Sequence, residues 1–255
     1  MRKCGLKLWS INTNNYFYDA KKLYEKRLYE YIELYIIPES LDTLHKWKSL
    51  DIPFIIHAPH SAHSMNLAQK ELEDSNKKLY GQVAKFADEL SAKFIIFHGG
   101  INGDYKECAR QLKNINDSRT LIENKPYRPT PQMGFSGTCV GAKFEEVKYI
   151  KEFAEVGCCL DFGHAICAAN SLRQDVFGFI EKLKTLGPRM YHLTDINDIT
   201  SEIDKHPHLG EGVLNIRKIM TSLPKDTYVT VETIKNSKEN LDDFVKDMEF
   251  IESWK

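Results

Sequence analysis

Lys93-Phe94-Ile95-Ile96-Phe97-His98 is a short apolar run that closes on an imidazole. Just before it, Leu72, Leu79, Tyr80, Val83, Phe86, Ala87 and Leu90 fall on one stripe at helical spacing. A helix feeding a short Ile- and Phe-rich run is the unit of a buried parallel sheet, whose strands read as unbroken apolar runs because both faces are covered. The unit recurs. Runs at 5–9, 31–37, 53–57, 93–98, 119–123, 157–161, 190–194 and 228–232 supply eight strands. Further helical stripes fall at Val176, Phe177, Ile180 and Leu183, and at Leu241, Phe244, Val245, Met248 and Ile251. Eight strands alternating with helices in 255 residues predict an α/β fold, a (β/α)8 barrel spanning 1–255 as a single domain. A doubly wound open sheet is the runner-up.

Composition narrows the function. With 42% hydrophobic and 28% charged residues the chain has enough apolar surface to offset its conformational entropy, which excludes disorder. Lys plus Arg number 35 against 36 Asp plus Glu, so no whole-surface basic field for nucleic acid exists, although a local basic groove is compatible with this balance. The apolar runs at 54–56 and 94–97 are far shorter than the roughly 18 residues that span a membrane. The opening Met1-Arg2-Lys3-Cys4-Gly5-Leu6-Lys7 turns polar before a signal-peptide core develops. No C-x-x-C pair occurs among the six cysteines, and the adjacent Cys158 and Cys159 would point to opposite faces of a strand as buried thiols. A cytoplasmic protein with no membrane association and no protein partner is expected.

The ends of the runs carry the chemistry. They close on His57, His98, Glu123 and Asp161, with His164 a short turn later; the seventh run carries His192 and the eighth closes on Glu232. One His or Glu after an apolar run is ordinarily a satisfied polar group. Six strands in succession doing this, on the face where barrel active sites lie, form a different pattern, because so many carboxylates and imidazoles held together resist ionisation without a cation. Asp204 and His206, in the loop after the seventh strand, bring the candidate ligands to nine. Four or five donors saturate one ion, so nine imply two to three ions; imidazole with carboxylate suits Zn2+, with Mn2+ as the harder-ligand alternative.

The runs His57-Ala58-Pro59, Phe97-His98-Gly99-Gly100, Ile122-Glu123-Asn124, Leu160-Asp161-Phe162-Gly163-His164-Ala165, His192-Leu193-Thr194-Asp195, Asp204-Lys205-His206 with Gly210-Glu211-Gly212, and Val231-Glu232-Thr233 together resemble endonuclease IV, the AP endonuclease family 2 within the xylose-isomerase-like barrels. The resemblance implies that His57 and His98 hold a first zinc, bridged through Glu123 to a second that Asp161, His192 and Glu232 complete. His164, Asp204 and His206 would hold a third. It further implies hydrolysis of DNA containing abasic sites, 5′ to the lesion, in base excision repair, with Glu123 and Glu232 as the catalytic carboxylates. Paired ions lower the pKa of a water to about 7, and a third neutralises the departing oxygen.

The chain departs from that family at three places. Where the family carries a basic, aromatic inserting loop after the second strand, this chain has the short, acidic Ile37-Pro38-Glu39-Ser40-Leu41-Asp42; Gly5-Leu6-Lys7-Leu8-Trp9 replaces a histidine-containing first strand; and Ser61-Ala62-His63-Ser64-Met65 precedes Asn66-Leu67 where the family has an aromatic wedge. Candidate phosphate contacts are Lys205, His60, His63 and Arg128, with Lys125 and Lys143 on the same face. His208 is surplus to the ligand count. Gly137-Thr138-Cys139-Val140-Gly141-Ala142-Lys143 echoes a phosphate loop with the wrong spacing and reads as a flexible loop, part of a Gly/Pro-rich active-site loop over 126–141. The alternative function is a divalent-metal sugar or sugar-phosphate isomerase or epimerase, which needs only Glu123, Asp161, His192 and Glu232. The other five ligands favour hydrolysis.

Overall fold

The computed structural model describes residues 2–130, 134 and 136–254. The eight runs form β1 (Lys3–Trp9), β2 (Tyr31–Tyr35), β3 (Phe54–His57), β4 (Ile95–His98), β5 (Thr120–Glu123), β6 (Gly157–Asp161), β7 (Met190–Leu193) and β8 (Tyr228–Val231). All pairings are parallel, each strand with its sequence neighbours and β1 with β8, so the sheet closes on itself as a (β/α)8 barrel. Among the described residues the helices are α1 (Phe17–Glu25), α2 (Leu44–Lys48), α3 (Glu73–Glu89), α4 (Tyr105–Ile115), α5 (Phe144–Ala154), α6 (Phe162–Ser171), α7 (Val176–Lys184), α8 (Ile216–Ser222) and α9 (Asp242–Glu252). None is long and apolar enough to cross a membrane. The open sheet is thereby set aside. Several strands stop one or two residues short of the expected runs, as at Tyr35 rather than residue 37.

Side chains alternate between two cores, as the period of a strand requires. Outward residues such as Leu6, Ile32, Ile56, Phe97, Ile122, Cys158 and Val229 join the helices in the main core. Inward residues Tyr31, Ile55, Phe94, Ile96, Leu121, Cys159 and Met190, with Tyr228 against them, plug the lower interior. Cys158 and Cys159 therefore do face apart, both buried and without a disulfide. Gly5 is required here, since a Cβ at that position would lie 2.3 Å from the Tyr31 ring. Its absence lets Tyr31 lie across the floor, where the hydroxyl bonds Thr230 at 2.9 Å.

The register places the polar residues. In the ladders Lys7 pairs with Glu33, Tyr35 with His57, His98 with Glu123, and Asp161 with His192. The next inward layer above the apolar plug is therefore ionisable, and it opens at the C-terminal ends of the strands.

Candidate metal centre

Three donor groups meet in that layer: His57, His98 and Glu123; Glu123, Asp161 and His192; and His164, Asp204 and His206. A fourth grouping, Glu33, His192 and Glu232, overlaps the second through His192. Within each, the donor atoms lie within 4.8 Å of one another. Glu123 joins them. Its Oε2 lies 3.1 Å from Nε2 of both His57 and His98 and 3.6 Å from His192 Nδ1, while its Oε1 lies 2.8 Å from His164 Nδ1.

The donors are aimed by bonds to their other atoms. His57 Nδ1 pairs with the Ala58 carbonyl at 2.8 Å, leaving Nε2 to face inward, and His206 Nδ1 does the same with the Glu232 carbonyl at 3.0 Å. Asp161 caps α6 by accepting the His164 N–H on Oδ1, which frees Oδ2; Asp204 accepts the His206 N–H on Oδ1 with the same result. His192 turns Nε2 to Glu33 Oε2 at 2.9 Å, so Nδ1 is the inward nitrogen. This is the arrangement in which an outer carboxylate orients a metal-binding imidazole. Four of these inward atoms, Asp161 Oδ2, His192 Nδ1, Asp204 Oδ2 and Glu232 Oε2, are buried and make no hydrogen bond among the described residues; their nearest charged neighbours are one another, other candidate donors and, for Glu232, Lys7. Buried polar atoms are otherwise nearly always bonded, so donors that face each other without bonding fit a cation between them.

The long loop after β7 is folded by Asp195, whose carboxylate accepts four N–H groups, from Ile196, Gly210, Gly212 and Leu214. That gives the Gly210-Glu211-Gly212 run its role and holds Asp204 and His206 over His164. His208 stands apart from the donors, buried between Asp247 at 3.1 Å and Asn236 at 3.1 Å, where it ties this loop to α9.

Two residues that sequence reasoning passed over complete the layer. Lys7 Nζ reaches Glu33 at 2.5 Å and Glu232 at 3.3 Å. The pattern that could have found them is one charge of each sign at the inward phase of β1 and β2, opposite each other in register. Burial alone would lower the Lys7 pKa, but Glu232, Glu33 and Glu123 outweigh it and hold it raised. Burial opposes ionisation of Glu33 too, yet His192 and Lys7 bring it down to about 2. Glu123 and Glu232 are likewise held well below the usual carboxylate range against burial, the first chiefly by His98, the second by Lys7. Burial, with Lys7 for His57 and Lys125 for His98, lowers both imidazoles. At His164 and His192 burial pulls the same way, but neighbours led by Asp161 and by Cys159 with Glu33 and Glu232 raise both.

The expected phosphate contacts divide. Lys125, expected as an ordinary face-lining lysine, is buried with Nζ 3.3 Å from His98 Nε2 and 3.2 Å from His164 Nε2. With Lys205, Pro126, Thr130, His164, Asp204 and His206 it lines a cavity of about 440 Å³ above the third group. His60 stacks flat on His98, 5.4 Å between centroids, rather than standing in solvent; His63 bonds the Tyr35 hydroxyl at 2.7 Å. Arg128 points instead toward Glu202 and Lys143 toward Glu146, at 4.0 and 3.3 Å, because each meets a nearer carboxylate on its own surface. Part of the 126–141 loop, residues 131–133 and 135, lies outside the described residues. The segment expected to be flexible is held by backbone bonds from Cys139 to Tyr127 and from Val140 to Gly100.

Comparison with known proteins places the fold. "Probable endonuclease 4" of Halothermothrix orenii is 26% identical over 211 residues, 74% of this chain and 74% of its own length. The crystal structure of endonuclease IV from Thermus thermophilus superposes with a TM-score of 0.72 at 21% identity, covering 99% of this chain and 98% of that one. A D-tagatose 3-epimerase-like protein superposes nearly as well, at a TM-score of 0.69 and 18% identity over 99% and 96%. A family model described as xylose isomerase-like TIM barrel matches residues 26–254, and the chain belongs to that family.

Proposed function

We propose that this chain is a zinc-dependent phosphodiester hydrolase that cuts DNA on the 5′ side of abasic sites, holding two to three ions, in the cytoplasm. The carrying observation is that three donor groups converge through Glu123, whereas one group would serve a single-ion isomerase. Relatives named endonuclease 4 support the same choice. When bound, divalent ions supply an acidic water and neutralise the charge on a departing oxygen.

The chain's own residues set the stage for that chemistry. Glu123 and Glu232 are the catalytic carboxylates of this reading; Glu123 spans the groups, and Glu232 is held ionised between Lys7 and His192. Lys125 offers a fixed positive charge at the cavity floor, and Lys205 a second, exposed one at its rim. A phosphate seated there meets cations on one side and the cluster on the other. The second reading, a sugar or sugar-phosphate isomerase, rests on Glu123, Asp161, His192 and Glu232 alone.

One assay separates the two. The zinc-loaded protein is given a fluorescent duplex with a single abasic analogue, beside sugar phosphates followed by NMR. Nicking at the lesion that leaves a 3′-hydroxyl, needs no added magnesium and disappears in Glu123→Gln is expected. With Lys125 and Lys205 as the lysines that line the cavity among the described residues, the log–log slope of affinity against salt should be close to −2, at about −0.9 per phosphate. No nicking at low salt by protein with a full metal complement, together with turnover of a sugar phosphate, would overturn the hydrolase reading.

A further inference from the structure

The mouth also carries a run of aromatic rings that hydrolysis at the donor groups leaves unused. Trp9 ends β1 on the mouth side with 46% of its surface exposed. Its ring packs against Tyr35 at 5.7 Å and meets His63 edge-on at 5.9 Å. Tyr35 lies 5.2 Å from the donor His57 and 5.2 Å from His60, which stacks on the donor His98. Rings thus lead from two candidate ligands to an exposed indole in steps of under 6 Å. Exposed Tyr18 and Phe177, by contrast, sit on the outer helices α1 and α7.

The main chain that carries the indole is held at several points. The Trp9 backbone N–H donates to Asn12 Oδ1 at 2.8 Å, and the next residue, buried Ser10, donates its N–H to the Tyr35 carbonyl at 2.8 Å. Trp47 donates its indole N–H to the Ser10 carbonyl at 2.7 Å. The Tyr35 hydroxyl accepts the His60 N–H at 3.0 Å and pairs with His63. Ile11, two residues beyond Trp9, is also 47% exposed. A single apolar side chain at the surface needs no explanation; an exposed indole packed on rings that reach two candidate donors does.

Cations alone give this site a weak hold on a nucleic-acid strand, since the chain's net charge is −1 and two lysines line the cavity. Stacking on an aromatic face adds affinity that salt does not screen and that every base supplies. Tyr35 separates the indole from His57, so a monosaccharide phosphate seated at the donors stops short of Trp9, while the next base of a strand reaches it. We propose that Trp9 is a stacking platform for a nucleobase adjacent to the phosphodiester at the donor groups, with Tyr35 and His63 holding it in place. This rests on the nucleic-acid reading above.

The test uses the zinc-loaded full-length protein, octathymidylate as the binding probe and the abasic duplex as substrate. Of the three tryptophans Trp9 is the exposed one on the mouth side, while Trp47 is fully buried and Trp254 packs on Phe250 of α9, so the part of the emission that the oligonucleotide quenches reports Trp9. Octathymidylate should quench it. Trp9→Ala should abolish the quench and raise Kd for the probe and KM for the duplex roughly 5- to 100-fold, with kcat changed less than about threefold. Trp9→Phe should keep most of the affinity, and Trp9→Leu, which retains bulk without a π-face, should behave as Trp9→Ala. Nicking with KM and Kd unchanged in both Trp9→Ala and Trp9→Leu would overturn the platform and spare the hydrolase. Quenching by ribose 5-phosphate equal to that by the oligonucleotide would also overturn it. Quenching and affinity lost in Trp9→Ala and Trp9→Leu, in a protein that nicks nothing, would uphold the platform while the hydrolase reading alone falls.

Discussion

From β3 round to β8, each strand delivers its donor at the last residue, one before it or one beyond it, whereas β1 and β2 present Lys7 and Glu33 in mid-strand. Residues on the first arc are aimed by the backbone around them: His57 by the Ala58 carbonyl, Asp161 by the first turn of α6, His206 by the Glu232 carbonyl. Residues on the second arc are aimed by each other, and both are almost wholly buried. The difference separates two ways of handling charge in a barrel. One arc turns its donor atoms toward each other without hydrogen bonds; the other bonds its charges directly and then uses the pair to orient His192 and Glu232.

The largest effect that could break this contrast lies at Glu123. Glu123→Gln should cut activity by about a thousandfold or more and lower zinc content by at least one ion, because an amide cannot serve as the shared anionic donor. His206→Ala should cost less, removing one ion or less, since its group shares no donor with the others, whereas Glu123 belongs to two. Elemental analysis that finds full zinc in Glu123→Gln but none in His206→Ala would dissolve the distinction between a shared and a peripheral donor.

Stability probes the second arc. Lys7→Met leaves Glu33 and Glu232 buried without their cation and should cost about 3–5 kcal/mol in denaturant unfolding, the usual scale for breaking a buried pair. Lys7→Met combined with Glu33→Leu should cost less than the sum of the two single losses, although Glu232 and His192 Nε2 still lack their partners, a coupling that a double-mutant cycle reads directly. Additive losses would mean that the two residues do not act as a pair.

Acid provides the finest comparison, within the first arc itself. His164 and His192 have raised pKa values, so they gain protons while the pH is still above the ordinary value of about 6.5, and each proton displaces a metal bond. His57 and His98 are lowered, so they stay neutral to below that value. As pH falls from 8 to 5, ions held by His164 and His192 should leave before one held by His57 and His98. Metal content after dialysis across that range would show stepwise loss; a single step shared by wild type and His206→Ala would count against it.

The first arc was legible in the sequence because an apolar run ending in His, Asp or Glu is visible one strand at a time. Strand count and spacing gave the closed barrel in the same way. Lys7 and Glu33 were not legible: a charge between apolar neighbours reads as an outward position on a half-exposed strand, and only barrel closure turns that phase inward. The carboxylates beside Arg128 and Lys143, Glu202 and Glu146, were not legible as their partners either, since Glu202 comes from a loop distant in sequence and Glu146 meets Lys143 only once α5 forms. Trp9 lay in a strand whose departure from the related family was visible, but its partners Tyr35 and His63 come from two other segments.

Tyr31, lying where Gly5 has no side chain, helps plug the barrel: below the charged layer the interior is packed with buried Tyr31, Phe94 and Met190, with Tyr228 against them. Among the described residues the site opens at the strand C-termini. On the proposed reading ions and a strand would share that entrance, so the deep ions would have to be in place before a strand arrives, and a seated strand would lock them in until product leaves. A chelator should consequently strip the resting protein faster than the working one, so that turnover itself protects the cofactor.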